Sequence, residues 1–447
     1  MRRGILVGIL IVGAALLPRF LIDASLFADI VSIAAVCLIL WLTEIFPPFV
    51  PTLILWAAIP LFLAGSDAAY SFSTVMKWAA DPVLALFFGG FALGVAAERH
   101  GLDRRLIAFA IRVAGDSYRA LLLFVIVITA FLSMWLSNIA AAALMFACLR
   151  PAFSSMEDGN LLRRMLIIGV ALAADLGGMA TPIGTGPNAV AIASLAGTYQ
   201  ISFLKWMFFA FPLTIGMLGV TYLMLIWRVR GRTAEWNPIA GGNIAESAPQ
   251  AAGNGQSVFL IILIGTMILW LSEPLHGIPS AVVSIGASAA LFVTRTLERD
   301  SLTKIDWSTL ILISGGITLG RLLESSGIVS ALSANIPFHT FNHTAALFVI
   351  CLFTALLAAL MSNTASVIML IPLASVLIPS PSTAILVAIA ASFGMPFIIS
   401  TPPNAMAYGE GGLKFSDLFG PGLFLMILGC LLISITGPAV LRMAGIP

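Results

Sequence analysis

Residues 120–150 read ALLLFVIVITAFLSMWLSNIAAAALMFACLR, and residues 342–378 read NHTAALFVICLFTALLAALMSNTASVIMLIPLASVLI. Each stretch is apolar except near its middle, where the first carries Ser137-Asn138-Ile139 and the second Ser362-Asn363-Thr364. A transmembrane helix needs about 20 apolar residues, so both stretches are too long for a single crossing. We predict that each forms a re-entrant hairpin, which turns at mid-depth and is tolerated where its tip is buried in protein or lines a wet cavity.

The composition of the whole chain is that of a protein embedded in lipid. Of its 447 residues, 60% are hydrophobic and 9% are charged, and the mean hydropathy is +1.07. Soluble globular domains carry about 25% charged residues, so a water-soluble fold is excluded. The net charge of +2 is too balanced to suggest a nucleic acid partner. The predicted fold class is therefore an all-α polytopic membrane protein.

The other apolar segments are long enough to be spans, which predicts about 11 transmembrane helices plus the two re-entrant hairpins. The predicted spans are 4–21, 26–46, 50–65, 78–97, 165–198, 203–227, 255–272, 278–294, 307–324, 382–413 and 417–440. Residues 1–25 hold the first of them, which we expect to stay uncleaved although it begins like a signal peptide.

The distribution of positive charge predicts the orientation in the membrane. With a cytoplasmic N-terminus and both long stretches folded as hairpins, most of the 22 Lys and Arg residues fall on the cytoplasmic side. The hairpin at 120–150 then opens toward the cytoplasm and the hairpin at 342–378 toward the outside, and the C-terminus lies outside. We expect a multi-pass protein of a bacterial-type inner membrane.

The two halves of the chain repeat the same motifs in the same order. FFGGFALGVAAERHGL at 87–102 matches ISGGITLGRLLESSGI at 313–328. GTGPN at 184–188 matches STPPN at 400–404, and the Ser-Asn pairs lie between these motifs in both halves. Three motifs that occur in the same order in both halves indicate an internal duplication.

The least hydrophobic segment, 228–254, separates the repeated motifs and is predicted to be a cytoplasmic linker. It divides the first repeat, 26–227, from the second, 255–447. Each repeat holds scaffold helices, one hairpin and one broken helix, at 165–198 or 382–413. Because the hairpins open to opposite sides, the repeats are predicted to be inverted, as is typical of secondary transporters.

The repeated polar motifs suit the binding of an anion together with a cation. Proline and glycine unwind the broken helices, so that helix N-termini can attract an anion. Freed carbonyl groups and Asn oxygens suit a hard cation such as Na⁺, and no Lys or Arg lies in the motifs. The pattern predicts cation-coupled anion transport. It does not predict an enzyme, because the sequence has no GxSxG, HExxH or paired aspartate motif.

The Ser-Asn tips, the GTGPN and STPPN loops, WLTEIFPPFVP at 41–51 and FFGGFALGVAAERHGLDRR at 87–105 resemble a known family. It is the divalent anion/sodium symporter (DASS) family of INDY-type dicarboxylate transporters, and the resemblance covers about residues 25–440. It implies a homodimer with a scaffold domain and a mobile transport domain, elevator-type movement and Na⁺ as coupling ion. The implied substrate is a small dicarboxylate such as succinate, malate, fumarate or 2-oxoglutarate.

The resemblance also implies which residues bind the substrate and two sodium ions. The substrate would contact Ser137, Asn138, Ile139, Thr185, Ser362, Asn363, Thr364, Thr401 and Pro402. Ser133, Ser137, Asn138, Gly184 and Gly186 would hold the first sodium ion, and Ala358, Met361, Asn363 and Ser400 the second. Three of these residues depart from the family pattern, namely Ile139 in place of Thr, Gly186 in place of Pro and Ala358 in place of a hydroxyl residue.

These departures leave sodium dependence, stoichiometry and substrate choice open. Two alternatives keep the fold: a sodium-independent dicarboxylate exchanger, and a transporter of sulfate or another inorganic oxyanion. Two carboxylates in or near apolar spans are further candidates for functional groups. Asp175 is a candidate to tune the cation site or to take a proton, whereas for Glu44 a structural hydrogen bond fits at least as well. Arg321 and Glu324 are expected to pair with each other.

Overall fold

A computed structural model describes residues 2–21, 25–43, 45–154, 156, 160–196, 199–229, 254–327 and 342–446. Within these ranges the regular structure is α-helical, with short 3₁₀ helices at 68–70 and 299–304, and this confirms the predicted all-α class. Glu44 and residues 230–253 of the predicted linker lie outside the described residues.

The α-helices are numbered here in chain order. Those of the first half are α1 (Arg2–Leu21), α2 (Ser25–Thr43), α3 (Val50–Leu63), α4 (Phe72–Ala79), α5 (Pro82–Arg99), α6 (Leu102–Ala114), α7 (Tyr118–Trp135), α8 (Asn138–Ser154), α9 (Leu161–Gly178), α10 (Gly186–Leu195) and α11 (Phe203–Val229). Those of the second half are α12 (Asn254–Leu271), α13 (Glu273–His276), α14 (Ser280–Val293), α15 (Trp307–Ser325), α16 (His343–Leu360), α17 (Asn363–Leu377), α18 (Pro381–Ser392), α19 (Pro402–Gly409) and α20 (Phe415–Met443).

Six of the described helices, α2, α5, α7, α11, α16 and α20, are long and apolar enough to cross a membrane. Two of these, α7 and α16, belong to the stretches predicted to be hairpins. Each has 18 residues and is therefore about 27 Å long, close to the thickness of the hydrocarbon layer. Length thus does not separate a hairpin arm from a crossing, and the number of crossings stays a prediction.

Each of the two long apolar stretches forms a pair of helices joined at the Ser-Asn residues. One residue with extended backbone, Leu136 in the first pair and Met361 in the second, follows the first helix. The hydroxyl oxygens of Ser137 and Ser362 then accept backbone N–H groups and so cap the second helix. Both helices of a pair pack on a common third helix, which is α9 in the first half and α18 in the second.

The predicted broken helices are interrupted at the repeated Gly/Pro motifs, between α9 and α10 and between α18 and α19. The predicted span at 78–97 corresponds to α5, but its start was placed four residues too early, because α4 ends at Ala79 and α5 begins at Pro82. The Asp81 carboxylate accepts the N–H of Val83, and Pro82 occupies the first turn of α5. An acidic cap followed by proline starts a new helix at this point.

The short helices that follow the Gly/Pro motifs, α10 and α19, are exchanged between the two halves of the chain, because each packs on helices of the opposite half. Helix α10 of the first half packs on α15, α17 and α18 of the second, and α19 of the second half packs on α8 and α9 of the first. At the end of α19, Glu410 forms an ion pair with Arg150 of α8, with 2.8 Å between Nη2 and Oε1. The short helix that follows the Gly/Pro motif of each half is therefore packed mainly by helices of the other half.

The glycine pairs at 89–90 and 315–316 each face two different neighbours. The first glycine of each pair, Gly89 or Gly315, lies so close to α14 or α3 that an added Cβ would overlap it. The second glycine lies in the same way against the segment between α9 and α10 for Gly90, and against α17 for Gly316. The bare backbone of α5 and α15 thus separates α14 and α3 from the elements that carry the polar motifs.

The predicted pair near the end of α15 is confirmed. Nη1 of Arg321 lies 3.1 Å from Oε2 of Glu324. Both side chains line a cavity of about 210 Å³ between α10, α15 and α17.

Candidate functional site

Four segments that interrupt the helices carry most of the predicted site residues, and Ser133, Gly186, Ala358 and Pro402 lie in the helices next to them. The first tip (136–139) and the second tip (361–364) join the paired helices, and the first break (179–185) and the second break (393–401) interrupt the broken helices. Each segment leads into the N-terminus of a helix, namely α8, α17, α10 and α19 in that order. Backbone N–H groups in a first helical turn have no partner within the helix and attract negative charge.

The first tip meets the first break through oxygen atoms. The Ser133 hydroxyl lies 2.6 Å from the carbonyl oxygen of Ala174, to which it donates, and 2.9 Å from Oδ1 of Asn138. A Cβ added at Gly178 would overlap this Oδ1 and would lie 3.1 Å from the carbonyl oxygen of Gly184. Three residues predicted for the first sodium ion, Ser133, Asn138 and Gly184, therefore share one space that exists because residue 178 is glycine.

The first tip meets the second break at a buried carboxylate. Asp175 is 1% exposed, and its Oδ2 accepts a hydrogen bond of 2.8 Å from Oγ1 of Thr401. The Asn138 side chain lies next to the same carboxyl group. Among the described residues, no donor bonds to Oδ1 of Asp175. In this arrangement the only hydroxyl hydrogen of Thr401 is directed at Asp175 and is not available to a substrate anion.

The second tip meets the start of α10, next to the first break. A Cβ added at Gly186 would overlap Oγ1 of Thr364, so the residue at 186 has no room for a side chain. This contact gives a physical reason for glycine where the family pattern has proline. Thr185 precedes Gly186, and its hydroxyl makes no capping bond to α10.

The second tip region packs tightly on the second break. A Cβ added at Gly394 would lie 2.8 Å from Cβ of Ala358, which leaves little space for a larger side chain at 358. Oδ1 of Asn363 is buried and has no hydrogen-bond partner among the described residues. The Ser400 hydroxyl accepts the N–H of Phe397 at 2.9 Å. The residues predicted for the second sodium ion thus include one free buried oxygen, and carbonyl groups at the end of α16 lack helical partners.

The four segments differ in exposure. Ile139 of the first tip is 49% exposed, and Pro402, which follows the second break, is exposed as well. Thr364 of the second tip is buried at 8% exposure. The difference lies in the residue after each Ser-Asn pair, since Ser137, Asn138, Ser362 and Asn363 are all half-buried.

Sequence reasoning missed two asparagines that hold the breaks in shape. Their Nδ2 groups donate to backbone carbonyl oxygens at distances of 2.8–3.1 Å, from Asn188 to Gly178 and Thr181 and from Asn404 to Met395 and Phe397. Oδ1 of each asparagine is buried and has no partner in the described part of the chain. Each residue is the last of a repeated motif, GTGPN or STPPN. Their equivalent positions in the two repeats could therefore have indicated a shared role.

We expect Asn404→Ala to destabilise the protein, because two carbonyl groups of the second break would lose their donor. A buried polar group without a partner costs about 1–3 kcal/mol. Thermal unfolding of the purified variant in detergent should therefore begin at a clearly lower temperature than for the wild type. Thr436→Ala, which removes an exposed hydroxyl in α20, is the control. Equal unfolding temperatures for Asn404→Ala and the control would contradict the assigned role.

The sequence of this chain matches a family model described as a citrate transporter (CitMHS) over residues 38–380, and again over 267–445. The chain belongs to the citrate transporter family. This result confirms the resemblance drawn from the sequence motifs, because this family is related to the DASS family. The protein is thus a membrane transporter of the CitMHS/DASS type.

Three relatives of this chain are transporters. An uncharacterized transporter of Methanocaldococcus jannaschii is 30% identical over 95% of this chain and 97% of its own. The sodium-dependent dicarboxylate transporter SdcS of Staphylococcus aureus is 25% identical, with 88% and 82% covered. The inorganic phosphate transporter PHO87 of Saccharomyces cerevisiae is 28% identical over 87% of this chain but only 43% of its own length.

A solved structure has the same fold as this chain. The Alcanivorax borkumensis YdaH transporter superposes with a TM-score of 0.57 at 16% identity, covering 88% of this chain and 97% of that one. At this identity the match bears on the fold alone.

Proposed function

We propose that the protein is a secondary active transporter of small dicarboxylates such as succinate, malate, fumarate or 2-oxoglutarate, coupled to Na⁺. The observation that carries the proposal is that each tip brings uncharged polar groups to a neighbouring break or helix start: Asn138 lies against Gly178, and Thr364 lies against Gly186. Each tip is itself followed by a helix N-terminus, and α8 packs on α19 as α17 packs on α10. Helix N-termini bind anions without a basic side chain. The sodium-dependent dicarboxylate relative supports this choice of substrate and ion.

The asparagines of the tips connect the two ligands. An Asn side chain offers one oxygen acceptor and two N–H donors, so it can bind a cation and an anion at once. We assign this role to Asn138 and Asn363, the first residues of α8 and α17. The substrate then lies between the tips and a sodium ion lies behind each tip, with the contacts implied by the family resemblance except for the Thr401 hydroxyl, which donates to Asp175. Binding of the cation fixes the orientation of the Asn amide that also binds the anion. Cation binding therefore favours anion binding.

The proposed movement is of the elevator type, in a homodimer of an inner membrane with a cytoplasmic N-terminus. The hairpins and broken helices form the mobile transport domain, and α3, α5, α14 and α15 belong to the scaffold. Gly90 and Gly316 support this division, since they place bare backbone of α5 and α15 against the proposed mobile elements. A surface without side chains lets one set of helices slide past the other.

One alternative substrate class, an inorganic oxyanion, has independent support. The phosphate transporter among the relatives favours an inorganic oxyanion, and Ile139 removes one hydroxyl donor expected for a carboxylate. The alternative to sodium-coupled transport is dicarboxylate exchange without sodium. Both alternatives keep the proposed site and differ only in the ions that bind there.

Uptake of radiolabelled succinate into proteoliposomes tests the proposal. We expect uptake to require an inward sodium gradient, to fall when choline replaces sodium, and to be inhibited by unlabelled malate or fumarate. Equal uptake without sodium that depends on succinate inside the vesicles would instead establish an exchanger. Inhibition by phosphate or sulfate, and not by malate, would establish an inorganic anion transporter.

A further inference from the structure

We propose that Asp175 is a ligand of the coupling cation beside the first tip, and that the two cation sites are therefore unequal, one charged and one neutral. The inference rests on the proposed sodium coupling. It adds an anionic residue to the first site that the family resemblance does not assign, and it predicts which of the two ions is held more tightly.

The first argument is the burial of Asp175. An ionised carboxylate that is buried without compensation is very costly, so buried carboxylates are paired or bind metal ions. Asp175 is 1% exposed, and no ion pair within the described residues involves it. Thr401 supplies one hydrogen bond to Oδ2 and the Asn138 amide lies beside the carboxyl group, but no donor among the described residues has the geometry of a hydrogen bond to Oδ1. The carboxylate therefore has an acceptor to offer to a cation.

The second argument is the chemistry of its surroundings. Asn138, whose side chain lies next to the Asp175 carboxyl group, brings its Oδ1 near the carbonyl oxygen of Gly184 and the hydroxyl of Ser133. Oxygen ligands of this kind suit hard cations. Asp175 also lies in the last turn of α9, where the helix dipole is negative and attracts cations.

The third argument is the difference between the halves. Alignment of STPPN with GTGPN places Ala391 of α18 where α9 has Asp175, and alignment of the two Ser-Asn pairs places Ala358 of α16 where α7 has Ser133. The second half thus lacks the carboxylate and one hydroxyl at the corresponding place. Ligand charge is a main determinant of cation affinity, so the first site should bind its ion more tightly than the second.

The carboxylate also sets an order of binding. Thr401 and Asn138 touch Asp175, and both also belong to the residues proposed for the substrate. A dianion placed beside an uncompensated carboxylate would be repelled, whereas a cation between them attracts both. The first cation should therefore bind before the anion, so that the empty protein has low affinity for substrate.

The test compares the wild type with Asp175→Asn, which keeps the size of the side chain and an acceptor for Thr401. Purified protein in detergent is titrated with NaCl at constant ionic strength, made up with choline chloride, and thermal unfolding is followed. We expect saturable stabilisation of the wild type by Na⁺, and a half-saturating concentration at least about tenfold higher in Asp175→Asn. Glu324→Gln, a carboxylate pair partner outside the site, is the matched control and should titrate like the wild type.

Each outcome decides between the claims. If Asp175→Asn and the wild type share one half-saturating concentration, Asp175 is not a ligand, although sodium coupling stands. If the wild type is neither stabilised by Na⁺ nor dependent on it for uptake, the proposed coupling fails, and the inference fails with it. Asp175→Ser replaces Asp175→Asn should the latter not yield a monodisperse protein, and the same shift is expected.

Discussion

Replacement of Asn138 or Asn363 by alanine is expected to reduce dicarboxylate uptake in proteoliposomes to the background level. Each asparagine is the first residue of the second helix of its pair. Oδ1 of Asn363 is buried without a donor among the described residues, and Oδ1 of Asn138 lies near the carbonyl oxygen of Gly184. Loss of a hydrogen bond to a charged partner costs about 1.5–3 kcal/mol, which is about 10- to 100-fold in affinity. Each variant loses a contact to the anion and one to the cation, so the combined loss should exceed that of either alone.

Asn160→Ala and Asn342→Ala are matched controls for these variants. Both residues are asparagines at the start of a helix, and both cap their helix by accepting backbone N–H groups. Their loss should cost about 1 kcal/mol of stability and leave uptake nearly unchanged. Substantial uptake by Asn138→Ala or Asn363→Ala, in protein that elutes like the wild type, would contradict the site assignment.

Gly186→Ala is expected to lower both uptake and thermal stability. The new Cβ would overlap Oγ1 of Thr364, so the second tip and the start of α10 would have to separate. Overpacking of this kind typically costs about 1–3 kcal/mol. The double variant Gly186→Ala with Thr364→Ala should recover much of the thermal stability, because the hydroxyl and methyl groups that cause the overlap are removed.

Gly219→Ala makes the same chemical change in the middle of α11, where an added Cβ would meet nothing within 4 Å. Its unfolding temperature should equal or slightly exceed that of the wild type, since alanine favours a helix over glycine by about 1 kcal/mol. If Gly186→Ala behaves like Gly219→Ala, the contact between the start of α10 and the second tip does not constrain the site.

Much of the fold could be predicted from local sequence, because its signals act over a few residues. The turns at Ser137-Asn138 and Ser362-Asn363, and the breaks at the Gly/Pro motifs, follow from capping, backbone unwinding and helix length. The start of α5 at Asp81-Pro82 lies four residues after the predicted start of the span, because hydropathy does not reveal a capped helix start within an apolar segment.

The contacts that assemble the site could not be predicted, because they depend on how distant segments pack. The hydrogen bond from Thr401 to Asp175 joins residues 226 positions apart and requires the exchange of α19 between the halves. Nothing near Gly186 in the sequence indicates that Thr364 lies against it. Capping and hydropathy describe single elements, and they do not say which elements become neighbours.

The exchange of α10 and α19 bears on how such a chain can arise. A polypeptide of half the length would hold one tip and one break, and the short helix that completes each would have to come from a second molecule. Duplication and fusion of its gene would turn an obligate two-chain assembly into a single chain. Once fused, the two copies of each position are free to diverge, as the aspartate in α9 and the alanine in α18 illustrate.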